Sequence, residues 1–189
     1  MNMVEGITLD FAWPQLDAQQ RLHVVAQLRD FISQLRQLPP PPHVMRNSIG
    51  SLHGHAIQDS RISSVDSFGP YSSESDFNDH LVKAADVFVD RGLSEPVRAR
   101  MRNNHRIVFT HGDLAPRNIV MCGDTVAAIV DWEESGWFPE HWELVKAKWS
   151  PGMNKDSGWN EAIWEILGHE QEEDWLLDYE LSKYMVGAF

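Results

Sequence analysis

Apolar residues recur at helical spacing early in the chain and mark its most regular segment. They fall three or four positions apart, as on one face of a helix: Leu22, Val25, Leu28, Ile32 and Leu35. Asp17 and Gln20 stand just before this stretch at the spacing of a capping box, and Pro39 begins a proline run that cannot continue a helix. The pattern therefore predicts a helix over residues 18–38.

The residues on either side of this helix lack its period. Residues 6–14 are interpreted as a loop, and residues 43–75, rich in Ser, Gly, His and Asp, as a long connection with a short hairpin around 49–62. His53 and His55 lie in that connection without a third ligand at metal-binding spacing, so no metal is expected there. Further helices are predicted at 77–88, from Ser94 onward, and at 139–148, 159–167 and 172–185.

Three short runs of β-branched and aromatic residues interrupt the helical pattern, at 107–110, 119–121 and 126–130. Cys122, Gly123 and Asp124 separate the last two runs and are typical of a tight turn between paired strands. We therefore predict an α+β fold, mostly α, over one domain of residues 1–189, with a small β-hairpin near its middle.

Composition narrows the possible partners. The formal net charge of -12 disfavours binding to nucleic acid or to anionic membranes, because both are negatively charged. No apolar stretch approaches the ~18 residues of a membrane span, and the N-terminus does not look like a signal peptide. The single cysteine, Cys122, excludes an intramolecular disulfide. These features predict a cytoplasmic protein, and they are compatible with a small-molecule substrate or a divalent metal.

The segment richest in candidate chemistry surrounds the predicted hairpin. Residues 111–118 read His-Gly-Asp-Leu-Ala-Pro-Arg-Asn and connect two of the predicted strands, while Asp131 ends the next strand. Strand pairing would bring Asn118 and Asp131 close together, with Asp113 on the same loop. Carboxylate and amide oxygens suit Mg²⁺, and a nearby free carboxylate can accept a proton from a substrate hydroxyl. Each residue alone is more often a local cap, whereas the ordered set favours a site.

This segment is similar to the catalytic loop of the protein-kinase-like fold, with His-Gly-Asp in place of the usual His-Arg-Asp. It most resembles the aminoglycoside phosphotransferase and choline kinase family, especially its fungal branch. Residues 4–13 resemble that family's hinge, residues 49–51 and 68–71 its insert, and residues 136–146 the segment after its metal-binding Asp. The likeness extends from the first residues to about residue 149 and more loosely beyond.

The resemblance implies a role for each residue of the segment. Asp113 would be the catalytic base, and Asn118 and Asp131 would hold Mg²⁺ beside a bound ATP. His111 would brace the loop, although it could also assist Asp113 in proton transfer. Arg117 would meet a phosphate or an acidic substrate group, or else remain solvated.

The resemblance also implies an organisation: a hinge-like segment at 1–16, an insert at 43–75, a catalytic segment at 107–133 and C-terminal helices at 139–189. The family's N-terminal lobe carries a Gly-rich loop and a strand lysine that hold ATP. Neither is recognisable in this sequence, so the chain is expected to be a C-terminal catalytic lobe alone. Positioning and charge stabilisation of ATP would then be incomplete.

Three functions are compatible with these observations. In the first, a truncated enzyme uses Asp113 and His111 for ATP-independent acid–base chemistry on a small molecule: cyclisation, isomerisation or elimination. In the second, a phosphotransferase dependent on ATP and Mg²⁺ is completed by a separate N-lobe chain or by homodimerisation. In the third, a binding module retains the motif without catalysis. No cofactor is certain, and the sequence does not name the substrate.

Overall fold

The computed structural model describes residues 4–59, 61–86, 94–149 and 158–183, with only the backbone described at residues 63–66. Helices contain more of these residues than strands do, and the strands form small antiparallel sheets, which confirms the predicted α+β class. The helices are α1 (Leu9–Ala12), α2 (Ala18–Leu35), α3 (Glu74–Ala85), α4 (Glu95–Arg98), α5 (Trp142–Trp149), α6 (Trp159–Leu167) and α7 (Glu172–Ser182).

The strands are β1 (Ile7–Thr8), β2 (Gly50–Ser51), β3 (Ile57–Asp59), β4 (Ser63–Phe68), β5 (Ile107–Thr110), β6 (Ile119–Cys122), β7 (Thr125–Ile129) and β8 (Gly136–Pro139). One sheet has the order β1-β6-β7 and a second has the order β2-β8-β5, while β3 and β4 form a hairpin. The predicted strand pair is confirmed as β6 and β7, with Ile119 opposite Ile129. The two three-stranded sheets hold the two ends of the loop at 111–118.

Helix α2 begins at the predicted position because its capping box forms. Asp17 Oδ1 accepts from the Gln20 amide at 2.9 Å, and Gln20 Oε1 accepts from the Asp17 amide at 3.0 Å. The helix ends at Leu35, before the predicted residue 38, and tighter turns follow it. Leu22, predicted on the buried face, is 55% exposed, since the face that packs inward is centred on Val24 and Leu28.

Two large apolar cores and a smaller cluster of Val44, Phe109 and Trp137 lie beneath these elements. The first joins α1, α2, β6 and α6 and includes Leu28, Ile119 and Ile163. The second joins α3, β8, α5 and α7 and includes Phe77 and Trp142. Helix α5 contributes to both cores, so strand β6 and the helices α6 and α7 are packed against a shared element. Of the helices in the described ranges, none is both long and apolar enough to cross a membrane.

Residues 6–14 were predicted as a loop, and this was wrong. Strand β1 pairs with β6, with Ile7 opposite Met121, and α1 follows it directly. Leu9, Ala12 and Trp13 are buried in the first core. The elements are two and four residues long, too short to show a period in sequence, and tertiary packing stabilises them.

Two other boundaries also differ from the prediction. Pro139 ends strand β8 instead of starting a helix, because residues 136–139 pair with β5 and all four are buried. The hairpin expected around 49–62 lies at β3 and β4, with Ile57 opposite Phe68, while β2 pairs with β8 instead. The predictions at Phe88 and at residues 184–185 fall outside the described residues.

Candidate functional site

The loop at residues 111–118 leaves β5 and enters β6, and its end is fixed by the neighbouring strand. The Asn118 carbonyl accepts a hydrogen bond of 2.8 Å from the Val130 amide. This bond extends the β6–β7 pairing by one step beyond Ile119 and Ile129. Asp131 therefore follows directly after Val130, the residue that pairs with Asn118, as the predicted strand pairing requires.

Asn118 is anchored to Asp113 through its side-chain amide. Its Nδ2 donates to Asp113 Oδ2 at 2.7 Å and to the Asp113 carbonyl at 3.0 Å. Since both partners are acceptors, they define which end of the amide is nitrogen. The Asn118 Oδ1 atom is consequently the end of this buried side chain that is turned away from Asp113.

Arg117 contacts the same carboxylate. Its Nη2 lies 2.7 Å from Asp113 Oδ1 and 2.6 Å from Oδ2, while about half of the Arg117 side chain remains exposed. The guanidinium and the Asn118 amide together fix the orientation of Asp113. A carboxylate offers about four acceptor positions, so Asp113 retains capacity for a substrate proton.

His111 is buried beneath the loop with both ring nitrogens engaged. Its Nδ1 accepts from the Asp113 amide at 3.2 Å, and its Nε2 lies 3.0 Å from the Val130 carbonyl. Nε2 therefore carries the proton that is donated to Val130. These contacts favour the bracing role of His111 over proton transfer to a substrate.

The buried carboxylate of Glu143 holds the start of the loop from helix α5. It accepts from the His111 amide at 2.6 Å and from the Gly112 amide at 3.1 Å. Gly112 has φ +83°, and a Cβ there would lie 2.4 Å from the Glu134 carbonyl oxygen. Sequence analysis missed the role of Glu143, because the residue lies some thirty positions beyond its partners and carries no local signal.

Asp131 has a left-handed backbone with φ +66° and an exposed side chain. Asp tolerates this conformation better than most residues do. Trp132 follows it and contacts the His111 ring, with the ring centroids 4.4 Å apart. The structure thus brings Asp113, Asn118 and Arg117 into direct contact, and strand pairing connects them to Asp131.

Lys146 forms ion pairs with Asp59 and with Glu134, which follows the segment at 107–133. Its buried Nζ donates to Asp59 Oδ1 at 2.8 Å and to Glu134 Oε2 at 2.7 Å. Asp59 ends β3, and Glu134 lies beside Gly112. The position of the insert hairpin is therefore coupled to the backbone of the loop.

A second group of titratable side chains lies in the second core, at Glu74, His105, His141 and Asp174. The Nδ1 atom of His105 is 2.6 Å from Glu74 Oε1, and its Nε2 is 3.3 Å from Asp174 Oδ2. Burial opposes the charged ring, but the hydrogen bonds and charges of Asp174 and Glu74 outweigh it and raise the pKa of His105 to about 9.

Two other members of this group, His141 and Asp174, have lowered pKa values. Burial, assisted by the charge of His105, lowers the pKa of His141 to about 4. Burial alone would raise the pKa of Asp174, yet contacts with His105 and Arg102 hold it below its ordinary value. None of these residues was singled out in the sequence, since they lie on four separate elements or connections.

A wide cleft lies away from the loop at residues 111–118. It measures about 830 Å³ and lies between α2 and the connection from α6 to α7, lined by Arg29, Arg36, Arg106 and Trp164 among others. No residue of the loop at 111–118 lines it. The chemistry of the loop residues, not cleft volume, therefore identifies the candidate active site.

Comparison with known proteins gives two further findings. The chain resembles a crystal structure of a thermostable mutant of the aminoglycoside phosphotransferase APH(4)-Ia in ternary complex with AMP-PNP and hygromycin B. The TM-score is 0.60 at 14% identity, over 96% of this chain and 60% of that one, so the likeness shows a shared kinase-like fold. Curated proteins gave no match. The profile of the phosphotransferase enzyme family matches residues 1–179, and the chain belongs to that family.

Proposed function

We propose that this chain provides the catalytic residues of a small-molecule phosphotransferase that uses a nucleoside triphosphate and Mg²⁺. The observation that supports it best is the Asn118 amide, whose Nδ2 is bound to Asp113 while its Oδ1 is the end turned away from Asp113. One side chain thus orients a carboxylate and offers an oxygen to a cation. Phosphoryl transfer needs both, since catalysis there is largely positioning and charge stabilisation.

Asp113 is the base in this proposal. Arg117 and Asn118 fix its orientation, and it lies on a loop that His111 and Glu143 hold from below. A substrate hydroxyl hydrogen-bonded to Asp113 would be aligned for attack and could transfer its proton as the new bond forms. General-base catalysis of this kind contributes about 10²–10⁴ in rate.

The metal ligands in this proposal are Asn118 Oδ1 and the carboxylate of Asp131. An amide oxygen and a carboxylate are the hard donors that Mg²⁺ accepts while it retains several waters. Bound there, Mg²⁺ would offset negative charge on phosphate oxygens. Asp131 is exposed and its backbone follows the Asn118–Val130 hydrogen bond, so it is accessible to a solvated ion.

The acceptor in this proposal is a small molecule carrying hydroxyl or amino groups. The resembling crystal structure holds AMP-PNP with hygromycin B, which supports a nucleotide and a polyhydroxylated amine as the substrate pair. A formal net charge of -12 favours a cationic acceptor by long-range attraction.

The nucleotide requires more contacts than the loop provides. This chain spans 60% of the length of the resembling phosphotransferase. A second lobe would supply the remaining contacts to adenine and phosphate. Val4, Ile7 and Phe11 are exposed apolar residues at β1 and α1, and they suit such a contact.

Transfer of labelled γ-phosphate from Mg²⁺·ATP to a panel of aminoglycosides and amino alcohols tests the proposal. Asp113→Asn should reduce transfer by about 10²–10⁴. Asp131→Asn should raise the Mg²⁺ concentration needed for half-maximal rate. Glu133→Gln is the matched control, since Glu133 is an exposed acidic residue near Asp131 with no assigned role, and it should behave as wild type.

Nucleotide binding provides an independent measurement. Millimolar Mg²⁺·ATP should raise the melting temperature of the wild type, because a ligand that binds only the native state stabilises it. If there is neither a melting shift nor transfer while the control variant is folded, ATP-dependent function is excluded for this chain.

ATP-independent acid–base chemistry is the second candidate. It is supported by the contacts of Asp113, whose carboxylate is oriented by two side chains of this chain, at Arg117 and Asn118. Turnover of a small molecule would then survive a chelator and the absence of nucleotide, yet be lost in Asp113→Asn. Loss of activity in the presence of a chelator would reject this candidate. If no turnover of any kind is found, a binding module without catalysis is the remaining function.

A further inference from the structure

A compact group of metal-ligating side chains lies apart from the catalytic loop, in the second core. Glu74, His105 and His141 each direct one ligand atom to a common region, and these atoms lie within 4.8 Å of one another. The side chains of Glu74 and His105 are 3% and 4% exposed, and His141 is 5% exposed. Three separate parts of the chain supply them: the start of α3, the approach to β5 and the approach to α5.

His141 supplies the observation that points to a missing partner. Its Nδ1 atom is buried without a hydrogen-bond partner among the described residues. The His105 and His141 ring centroids are 4.6 Å apart, so the two imidazoles face one region. Buried polar atoms are almost always satisfied, and an unsatisfied one in a cluster of ligating groups calls for an explanation such as a bound ion.

We propose that Glu74, His105 and His141 form a binding site for Zn²⁺, distinct from the Mg²⁺ site proposed at Asn118 and Asp131. Two imidazoles and one carboxylate suit zinc, whereas Mg²⁺ favours oxygen ligands alone. A tetrahedral site with bonds of ~2.1 Å places its ligand atoms ~3.4 Å apart. Side-chain movements on the order of an ångström would bring the ligand atoms to that spacing.

Asp174 would orient one of the zinc ligands without binding the ion itself. His105 Nδ1 is directed at Glu74, and its Nε2 lies 3.3 Å from Asp174 Oδ2. With Nδ1 on the metal, Nε2–H would point to Asp174, the arrangement that commonly orients a metal-bound histidine. Arg102 also contacts Asp174 and neutralises part of its charge, so Asp174 acts through His105 and not as a ligand.

A bound ion would take the place now held by the proton between His105 Nδ1 and Glu74 Oε1, 2.6 Å apart. It would also connect the second core to the catalytic loop. His141 precedes α5 and is two residues from Glu143, whose carboxylate holds the His111 and Gly112 amides. Zinc at His141 would therefore restrict the segment that positions the loop.

Zinc titration of the chelator-treated full chain, followed by calorimetry and by elemental analysis after dialysis, tests the site. We expect one Zn²⁺ per chain with a dissociation constant below about 1 μM and a rise in melting temperature. His141→Gln and Glu74→Gln should each weaken binding at least tenfold. Asp174→Asn should weaken it about 10–100-fold, as loss of a partner to a ligating histidine does.

The chain offers a matched control in three exposed histidines of the insert, His43, His53 and His55, whose neighbouring rings are 6.2 and 6.5 Å apart. The triple variant H43Q/H53Q/H55Q should bind zinc as the wild type does. Loss of binding in this variant, or retained binding in His141→Gln, would overturn the proposal, as would no saturable binding to the wild type.

A spectroscopic measurement on the wild type removes dependence on variants that fail to fold. Co²⁺ bound in a four-coordinate site of two nitrogens and one carboxylate should give intense visible d–d absorption that Zn²⁺ displaces stoichiometrically. Weak absorption typical of six-coordinate surface Co²⁺ would reject a buried site. In that case the group is a proton-linked ion network, with His105 charged between Glu74 and Asp174.

Discussion

Glu143 illustrates what one buried side chain does for the loop at residues 111–118. Its carboxylate accepts from two successive amides, at His111 and Gly112, which no strand or helix satisfies. The same loop has a left-handed glycine at Gly112, where a Cβ would meet the Glu134 carbonyl. The loop conformation therefore depends on one acceptor and on one residue without a side chain.

Replacement of that acceptor should have a large effect. Glu143→Ala leaves two buried amides without partners, and each costs about 1–3 kcal/mol. We expect a loss of unfolding free energy on the order of 3 kcal/mol in urea denaturation. Glu133→Ala, at an exposed position, should change stability by less than about 0.5 kcal/mol. Equal effects in the two variants would show that Glu143 does not hold the loop.

At the scale of elements, α2 shows how a short local signal fixes a boundary. Asp17 and Gln20 exchange side-chain and backbone hydrogen bonds, and the helix starts at the next residue, Ala18. Strand β8 shows the reverse case. Its four residues are all buried and pair with β5, so it is held by partners about thirty residues away and not by its own propensity.

The cap of α2 has a measurable contribution. Asp17→Ala removes the acceptor for the Gln20 amide and should lower the unfolding free energy by about 1 kcal/mol, a typical value for a helix cap. Gln19→Ala, exposed in the same turn, is the control and should be neutral or slightly stabilising, because Ala is the better helix former. An unchanged melting temperature in Asp17→Ala would contradict the capping assignment.

At the scale of the whole molecule, buried ion pairs join segments that are distant in sequence. Arg61, in the insert hairpin, donates to both carboxylate oxygens of Asp178 on α7, at 2.6 and 2.9 Å. Lys146 joins Asp59 of the same hairpin to Glu134. These contacts fix the insert against the C-terminal helices and the catalytic segment together.

Removing one member of such a pair should be costly. Asp178→Ala leaves the Arg61 guanidinium buried without its carboxylate, and we expect destabilisation of about 3–5 kcal/mol. Arg100 and Glu180 form an exposed pair that also involves α7, so Glu180→Ala is the control, with an effect below about 1 kcal/mol. Chemical denaturation of both variants compares them, and similar losses would refute a special role for the buried pair.

The sequence by itself determined the features whose partners lie nearby along the chain. The capping box spans three residues, and Asp113, Arg117 and Asn118 lie within six positions of one loop. Strand β7 follows β6 through a tight turn, so their pairing was readable as well. The partners in such features are close along the chain, so residue spacing and residue type are enough to specify them.

Only the tertiary structure decided the features whose partners are far apart. Glu143 reaches its amides across some thirty residues, and the group of Glu74, His105 and His141 gathers three segments in the second core. Their residue types are ordinary in sequence. They become a loop anchor and a ligand cluster because burial removes water and leaves each polar group dependent on whatever partner the packing of helices supplies.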